Sequence, residues 1–202
     1  MRVMEDLVDN VRDPRSQLTP RLLVILYASH RLQILIPHDR IAQRVREIAA
    51  DISRDYRDVP DLHLIGVLKG AFVFMADLVR ALDRPITMDF MAVSSYADGT
   101  TSSGEVRVLK DLDSALQGRH VLIVEDIIDT GLTLQYLRGI LGTREPRSLR
   151  TACLLSKPTR RTIDVSVEYI GFEIEDQFVV GYGLDRDGLY RNLPDIVILG
   201  SG

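Results

Sequence analysis

Glu125, Asp126, Asp129, Thr130 and Thr133 gather three carboxylates and two hydroxyls in one short stretch of this chain, with Gly131 and Leu132 among them. Directly before them stands Val121-Leu122-Ile123-Val124, an apolar, branched run that reads as a strand buried on both faces. After them Leu134, Leu137, Ile140 and Leu141 recur at helical spacing. Gly142 stands where a cap belongs, and Pro146 forbids continuation. The pattern is strand, tight polar turn, helix. The first N–H groups of such a helix lack backbone partners, and the helix dipole places about half a positive charge there. Gly131 permits a positive φ or a close approach, and the threonines add hydroxyl donors. The product is a phosphate cradle. The neighbouring acids would repel a bare anion, but they make sense if the ligand also offers hydroxyls and a divalent cation. A sugar phosphate carrying magnesium satisfies both halves. An ordinary solvated helix cap would explain Asp129-Thr130-Gly131 alone. It would not explain two adjacent acids directly after a buried strand, which are costly to desolvate unless something uses them.

A second strand–turn–helix lies upstream. Residues 62–67 read as a strand entering Leu68-Lys69-Gly70, and residues 71–82 as a helix apolar nearly all round and therefore buried. Its N-terminus again suits an anion. Before it, Pro37 starts a helix with Ile41, Val45, Ile48, Ala49 and Ile52 on one face. Residues 86–93 form the next strand, and 105–110 pair back. Between them, Ser94 to Gly104 is polar and rich in Gly, Ser and Thr, a loop that is either filler or a functional lid. Residues 149–155 are an apolar strand ending at Ser156-Lys157-Pro158. Lys157 therefore projects at a strand's C-terminal end, where ligands gather in open α/β sheets. Further strands are expected over 165–170 and 195–199.

The totals exclude several classes. The 202 residues suit one domain with room for a small subdomain, and 46% hydrophobic with 27% charged residues is ordinary for a globular chain. A net charge of −4 argues against a broad basic face for nucleic acid. The single cysteine, Cys153, rules out an internal disulfide, suits a reducing compartment, and sits in an apolar run as a buried thiol would. No apolar run reaches membrane-spanning length and no signal-peptide pattern opens the chain, so a cytoplasmic location with no membrane partner is expected. Residues 1–33, broken by Pro14 and Pro20, read as a loosely attached extension to a domain over 34–202.

Residues 121–134 resemble the phosphoribosyl pyrophosphate binding motif of the type I phosphoribosyltransferases. Ser156-Lys157-Pro158 and the string from Phe178 to Asp185 are similar to those of the hypoxanthine (hypoxanthine-guanine) branch. The resemblance implies an α/β fold of that type: a mostly parallel sheet flanked by helices, a small hood subdomain and a flexible lid loop. It implies a magnesium-dependent reaction in which a six-oxopurine displaces pyrophosphate from carbon one of phosphoribosyl pyrophosphate. Lys69 and Gly70 then match the pyrophosphate loop, where the peptide before the lysine is commonly cis, and Arg191 matches an arginine that meets pyrophosphate. Glu125 and Asp126 would hold the ribose hydroxyls, and Thr130, Gly131, Leu132 and Thr133 the 5′-phosphate. Asp129 would be the general base. Lys157 would donate to the purine's oxo group, Phe178 stack on its face, and Val179 and Asp185 complete that subsite. Glu125, Asp126 and Asp185 would be the metal-linked acids, and Ser95 and Tyr96 would belong to the lid, which excludes water. The family is typically dimeric or tetrameric, so a homodimer or homotetramer is expected. The same fold also serves RNA-binding regulators of pyrimidine synthesis, a reading that the acidic balance and scattered arginines lower. A uracil or orotate transferase is disfavoured by the Lys157 and Phe178 strings.

Overall fold

The computed structural model describes residues 32–98 and 101–200, and side chains at all of these except 95–98 and 101–105. Of the expected extension over 1–33, only Leu32 and Gln33 fall among the described residues, at the start of β1 (Leu32–Ile36). Next comes α1 (His38–Asp55), whose buried residues Ile41, Val45, Ile48, Ala49 and Ile52 are the stripe its periodicity predicts. After it come β2 (Leu62–Leu68), α2 (Phe72–Ala81), β3 (Thr87–Asp98), β4 (Thr101–Lys110) and β5 (His120–Ile128). The chain continues through α3 (Leu132–Gly142), β6 (Ser148–Ser156), a 3₁₀ turn at Pro158–Arg160, β7 (Tyr169–Glu173), β8 (Val179–Val180) and β9 (Ile196–Leu199).

Six strands form the main sheet in the order β4-β3-β2-β5-β6-β7, parallel throughout except for the antiparallel β3–β4 edge. Its two faces bury different sets of side chains, as strand alternation requires. Leu122 and Val124 of β5 pack with the apolar stripes of α1 and α2, whereas Val121 and Ile123 pack with Leu134, Leu137 and Leu141 of α3. This is why the run 121–124 is apolar at every position. A second, three-stranded antiparallel sheet, β1-β9-β8, builds the small hood.

Order along the main sheet reverses between β2 and β5. The connection after β2 leads to its neighbour on one side, β3, and the connection after β5 leads to its neighbour on the other, β6. Chains leaving adjacent strands in opposite directions open a crevice at the strands' C-terminal ends. Lys69 and the 129–133 turn both lie at that crevice.

Four expectations are corrected. Strand β5 continues to Ile128, so Glu125 and Asp126 lie within the strand; branched Ile127 and Ile128 extend the ladder onto β6. The loop expected over Ser94–Gly104 is instead a long hairpin, with β3 running to Asp98 and β4 starting at Thr101, and Ala97 pairs with Ser102. Ser95 and Tyr96 thus have strand backbone in β3, and their side chains lie outside the described residues. Helix α2 is not buried all round: Phe74, Met75 and Leu78 are fully covered, but Phe72 is 43% exposed. Strand β7 begins at Tyr169, where the sequence pattern placed it at 165–170.

Candidate active site

The crevice between β2 and β5 is a cavity of about 290 Å³. Its walls bring together Lys69 and Gly70, the acids Glu125, Asp126 and Asp129, Thr130, Gly131 and Thr133, and Asp185 with Arg191. These come from three separate parts of the chain. Leu132, the first residue of α3, is not among the residues that line the cavity, although its neighbours Gly131 and Thr133 are.

Gly131, just ahead of α3, has φ of 91°, the left-handed backbone that favours glycine. The sharp turn aims the start of α3 at the cavity. Thr130 Oγ1 accepts from the Leu132 N–H at 3.4 Å. On the β2 side, the Leu68–Lys69 peptide is cis. Gly70 packs so tightly on β5 that a Cβ there would overlap Oδ2 of Asp126, and a Cβ at Gly183 would overlap the Gly70 carbonyl. Gly70 thus meets the Asp126 side chain on one side and the Gly183 backbone on the other, and Gly183, with φ of 99°, holds the left-handed conformation that favours glycine.

The two strand acids differ in setting. Glu125 is 5% exposed, and burial, reinforced by the Asp126 charge, raises its carboxyl well above the usual carboxylate range. Asp126 opens to the cavity; burial pushes it up to about 6, offset by the Ile127 N–H that it accepts at 2.8 Å and by the Arg191 guanidinium. Carboxyls whose proton affinity is raised in this way can donate to as well as accept from adjacent hydroxyls, the pattern that a sugar diol presents. Arg191 is anchored by Asp185 Oδ1 at 2.6 Å and by the Gly183 carbonyl at 2.6 Å, while Asp185 Oδ2 accepts from Gly188 N–H at 2.7 Å.

Of the residues assigned to the purine, Asp185 lines that cavity, whereas Lys157, Phe178 and Val179 do not. Lys157 follows β6 and is 7% exposed; its backbone N–H reaches the Ile128 carbonyl at 3.0 Å and its Nζ faces Asp176 Oδ1 at 3.4 Å. Phe178 is 56% exposed, and Val179 is buried in the hood ladder opposite Ile198. Among the described residues no group of three or more His, Cys, Asp or Glu is placed to hold a metal ion. Magnesium, however, is commonly held by one or two carboxylates together with substrate phosphates, and Asp126 and Asp185, facing one cavity, fit that pattern. Glu125, whose burial raises its proton affinity, suits a hydroxyl better.

Two charged residues that the sequence reading did not single out touch the candidates. Arg160 Nε donates to Asp129 Oδ1 at 3.1 Å, and its Nη1 lies 3.7 Å from Asp176 Oδ2. The signal was present: Arg160 stands one 3₁₀ turn after Lys157, which puts both on one side of the turn. Cys153 is fully buried and its thiol is pushed up to about 12 by that burial, as expected of a structural thiol.

The sequence pattern of the phosphoribosyl transferase domain matches residues 33–187. The chain is 49% identical over 167 residues to the hypoxanthine-guanine phosphoribosyltransferase of Bacillus subtilis, covering 83% of this chain and 92% of that one. It is 50% identical over 186 residues to the enzyme of that name from Mycobacterium avium, covering 90% of this chain and 92% of the other. A share of 90% is more than residues 34–202 alone can supply, so the mycobacterial match reaches into residues 1–33. The crystal structure of a hypoxanthine phosphoribosyltransferase from Staphylococcus aureus superposes with a TM-score of 0.80 at 44% identity, over 83% of this chain and 91% of that chain.

Proposed function

This chain belongs to the phosphoribosyl transferase family, and from that premise we propose that it salvages purines, moving the 5-phosphoribosyl group from phosphoribosyl pyrophosphate onto hypoxanthine, guanine or both. The products are IMP or GMP and pyrophosphate. The observation that carries this reading is the convergence of Lys69-Gly70, the 125–133 segment and Asp185/Arg191 on one cavity at the reversal point of the sheet.

In this reading the start of α3, with Thr130, Gly131 and Thr133, grips the 5′-phosphate. Glu125 and Asp126 clasp the two ribose hydroxyls. The bond from carbon one to pyrophosphate breaks and its electron pair leaves with pyrophosphate, so positive charge develops on the ring while negative charge grows on the leaving group. Lys69 and Arg191 stand where that negative charge grows. Magnesium, bound with the donor through Asp126 and Asp185, would supply further neutralisation there. Asp129 takes the proton that the purine's imidazole ring loses as its nitrogen bonds to carbon one. Lys157 donates to the six-oxo group, Phe178 covers the ring face, and the β3–β4 hairpin, which contains Ser95 and Tyr96, closes the site against water.

No helix among the described residues is long and apolar enough to cross a membrane. We place the working enzyme in the cytoplasm as a homodimer or homotetramer of domains spanning 34–202. The reaction is tested by pyrophosphate release with phosphoribosyl pyrophosphate, magnesium, and hypoxanthine, guanine or xanthine in turn. Release that depends on a six-oxopurine is expected. Release with none of the three, alongside retention of RNA on a filter, would favour a regulator instead.

A further inference from the structure

Four charged side chains alternate in sign across the gap between the two halves of the site. Asp129 Oδ1 accepts from Arg160 Nε at 3.1 Å, Arg160 Nη1 lies 3.7 Å from Asp176 Oδ2, and Asp176 Oδ1 lies 3.4 Å from Lys157 Nζ. We propose that Arg160 and Asp176 are positioning residues of the transfer reaction, a two-residue bridge that holds Asp129 in line and ties its charge to that of Lys157. The inference rests on the reading of Asp129 as base and Lys157 as purine donor given above.

The backbone is built to hold Arg160 at that place. The segment that carries it is stitched to the cradle on both sides: Lys157 N–H donates to the Ile128 carbonyl at 3.0 Å, and Thr162 N–H to the Thr130 carbonyl at 3.1 Å. Between these, the 3₁₀ turn Pro158–Arg160 closes with Arg160 N–H on the Lys157 carbonyl at 3.1 Å. Thus the turn that presents Asp129 and the turn that presents Arg160 move as one piece.

Stability does not account for the bridge. The side chains of Asp129, Arg160 and Asp176 are 42%, 48% and 52% exposed, and ion pairs so wet contribute little to folding. Lys157 is different: with its side chain 9% exposed it is largely desolvated, and Asp176 faces its ammonium. Asp176 therefore serves two cations at once. While Asp129 is ionised, Arg160 divides its attraction between Asp129 and Asp176. When Asp129 receives the purine's proton its charge is gone, and Arg160 turns wholly to Asp176. That loosens the hold of Asp176 on Lys157, whose ammonium then donates more fully to the oxo group. Removal of the proton from one side of the purine and polarisation of the other become linked steps.

The test is a double-mutant cycle on kcat, with the KM of both substrates measured alongside. Asp129→Asn alone should lower kcat by about 10² to 10⁴, the usual worth of a positioned base. Arg160→Gln should lower kcat by up to about 10²-fold, the scale of a misplaced catalytic group, with little change in the KM of the ribose donor. Arg160→Lys, which keeps the charge but not the fork, should recover part of the loss. The double variant should be no slower than Asp129→Asn, because Arg160 acts through Asp129. If Asp129→Asn retains full turnover, Asp129 is not the base and the underlying reading fails. If Asp129→Asn is slow but Arg160→Gln turns over normally, or if the two losses multiply, the bridge is overturned while the base stands.

Discussion

The proposed phosphoribosyl half and the proposed purine half of this site are made in different ways. The first sets its charged side chains on a backbone frame: a positive-φ glycine, a helix start and two glycines packed against Asp126 and against each other. The second is built from side chains, and they stand apart in the free chain, with Lys157 buried against Asp176 and Phe178 exposed to solvent. A backbone site is rigid before any ligand arrives, so it can bind a highly charged donor with little reorganisation. A side-chain site adapts, and stacking tolerates more than one ring. The contrast fits an enzyme with one invariant donor and several related acceptors.

The sharpest way to break that contrast is to remove chemistry without removing binding. Asp129→Asn should lower turnover by about 10² to 10⁴ while both substrates still bind; parallel kinetics and calorimetry decide it, and unchanged turnover would take Asp129 out of the role. Gly70→Ala attacks the rigid half directly. Its methyl would overlap the Asp126 carboxylate, so donor binding should fall steeply and the fold should lose about 1–3 kcal/mol, as overpacking does. Thermal melting and donor titration check both, and a variant that binds the donor as before would show the half to be softer than described. Phe178→Ala attacks the adaptable half. Its exposed ring contributes little to folding, so the melting temperature should hold, while purine KM should rise by the equivalent of about 1–3 kcal/mol of stacking.

The smallest effect concerns pH. Burial pushes the Asp126 carboxyl up to about 6, so the folded chain holds its proton to higher pH than the unfolded chain does. A raised acid contributes stability at low pH and loses it as pH rises through about 6, flattening above. Donor affinity runs the opposite way, because ribose hydroxyls and a cation favour the ionised form. Affinity should increase up to about pH 6 and level off beyond it. A pH series of melting curves and titrations follows both trends, and Asp126→Asn should flatten them.

Much of this was legible in the chain itself. Residue types and spacing around 121–134 specified strand, turn and helix, and the five-residue stripe on α1 appears in the structure as read. Local pattern failed where a different force decided. Polar Ser94–Gly104 looked like a loop, yet Ser and Thr on a two-stranded arm need no apolar alternation, and β3 and β4 stay paired out to Asp98 and Thr101. The acids at 125 and 126 looked like a strand's end, because a carboxylate inside a strand is costly; the cavity and the raised proton affinity of Glu125 resolve that cost. The ion pairs joining Asp129, Arg160, Asp176 and Lys157 left little mark on the sequence, since contacts across such separations depend on the tertiary fold.

One titration addresses the central claim most directly: phosphoribosyl pyrophosphate with magnesium, added to the purine-free chain by calorimetry near pH 6 in two buffers of different ionisation enthalpy. A prebuilt cradle with Asp126 partly protonated predicts saturable one-site binding with net proton release, and a smaller release in Asp126→Asn, where only the donor's own phosphates still give up protons. Absence of binding until a purine is present would contradict it, because the phosphoribosyl half would then not exist ahead of its partner.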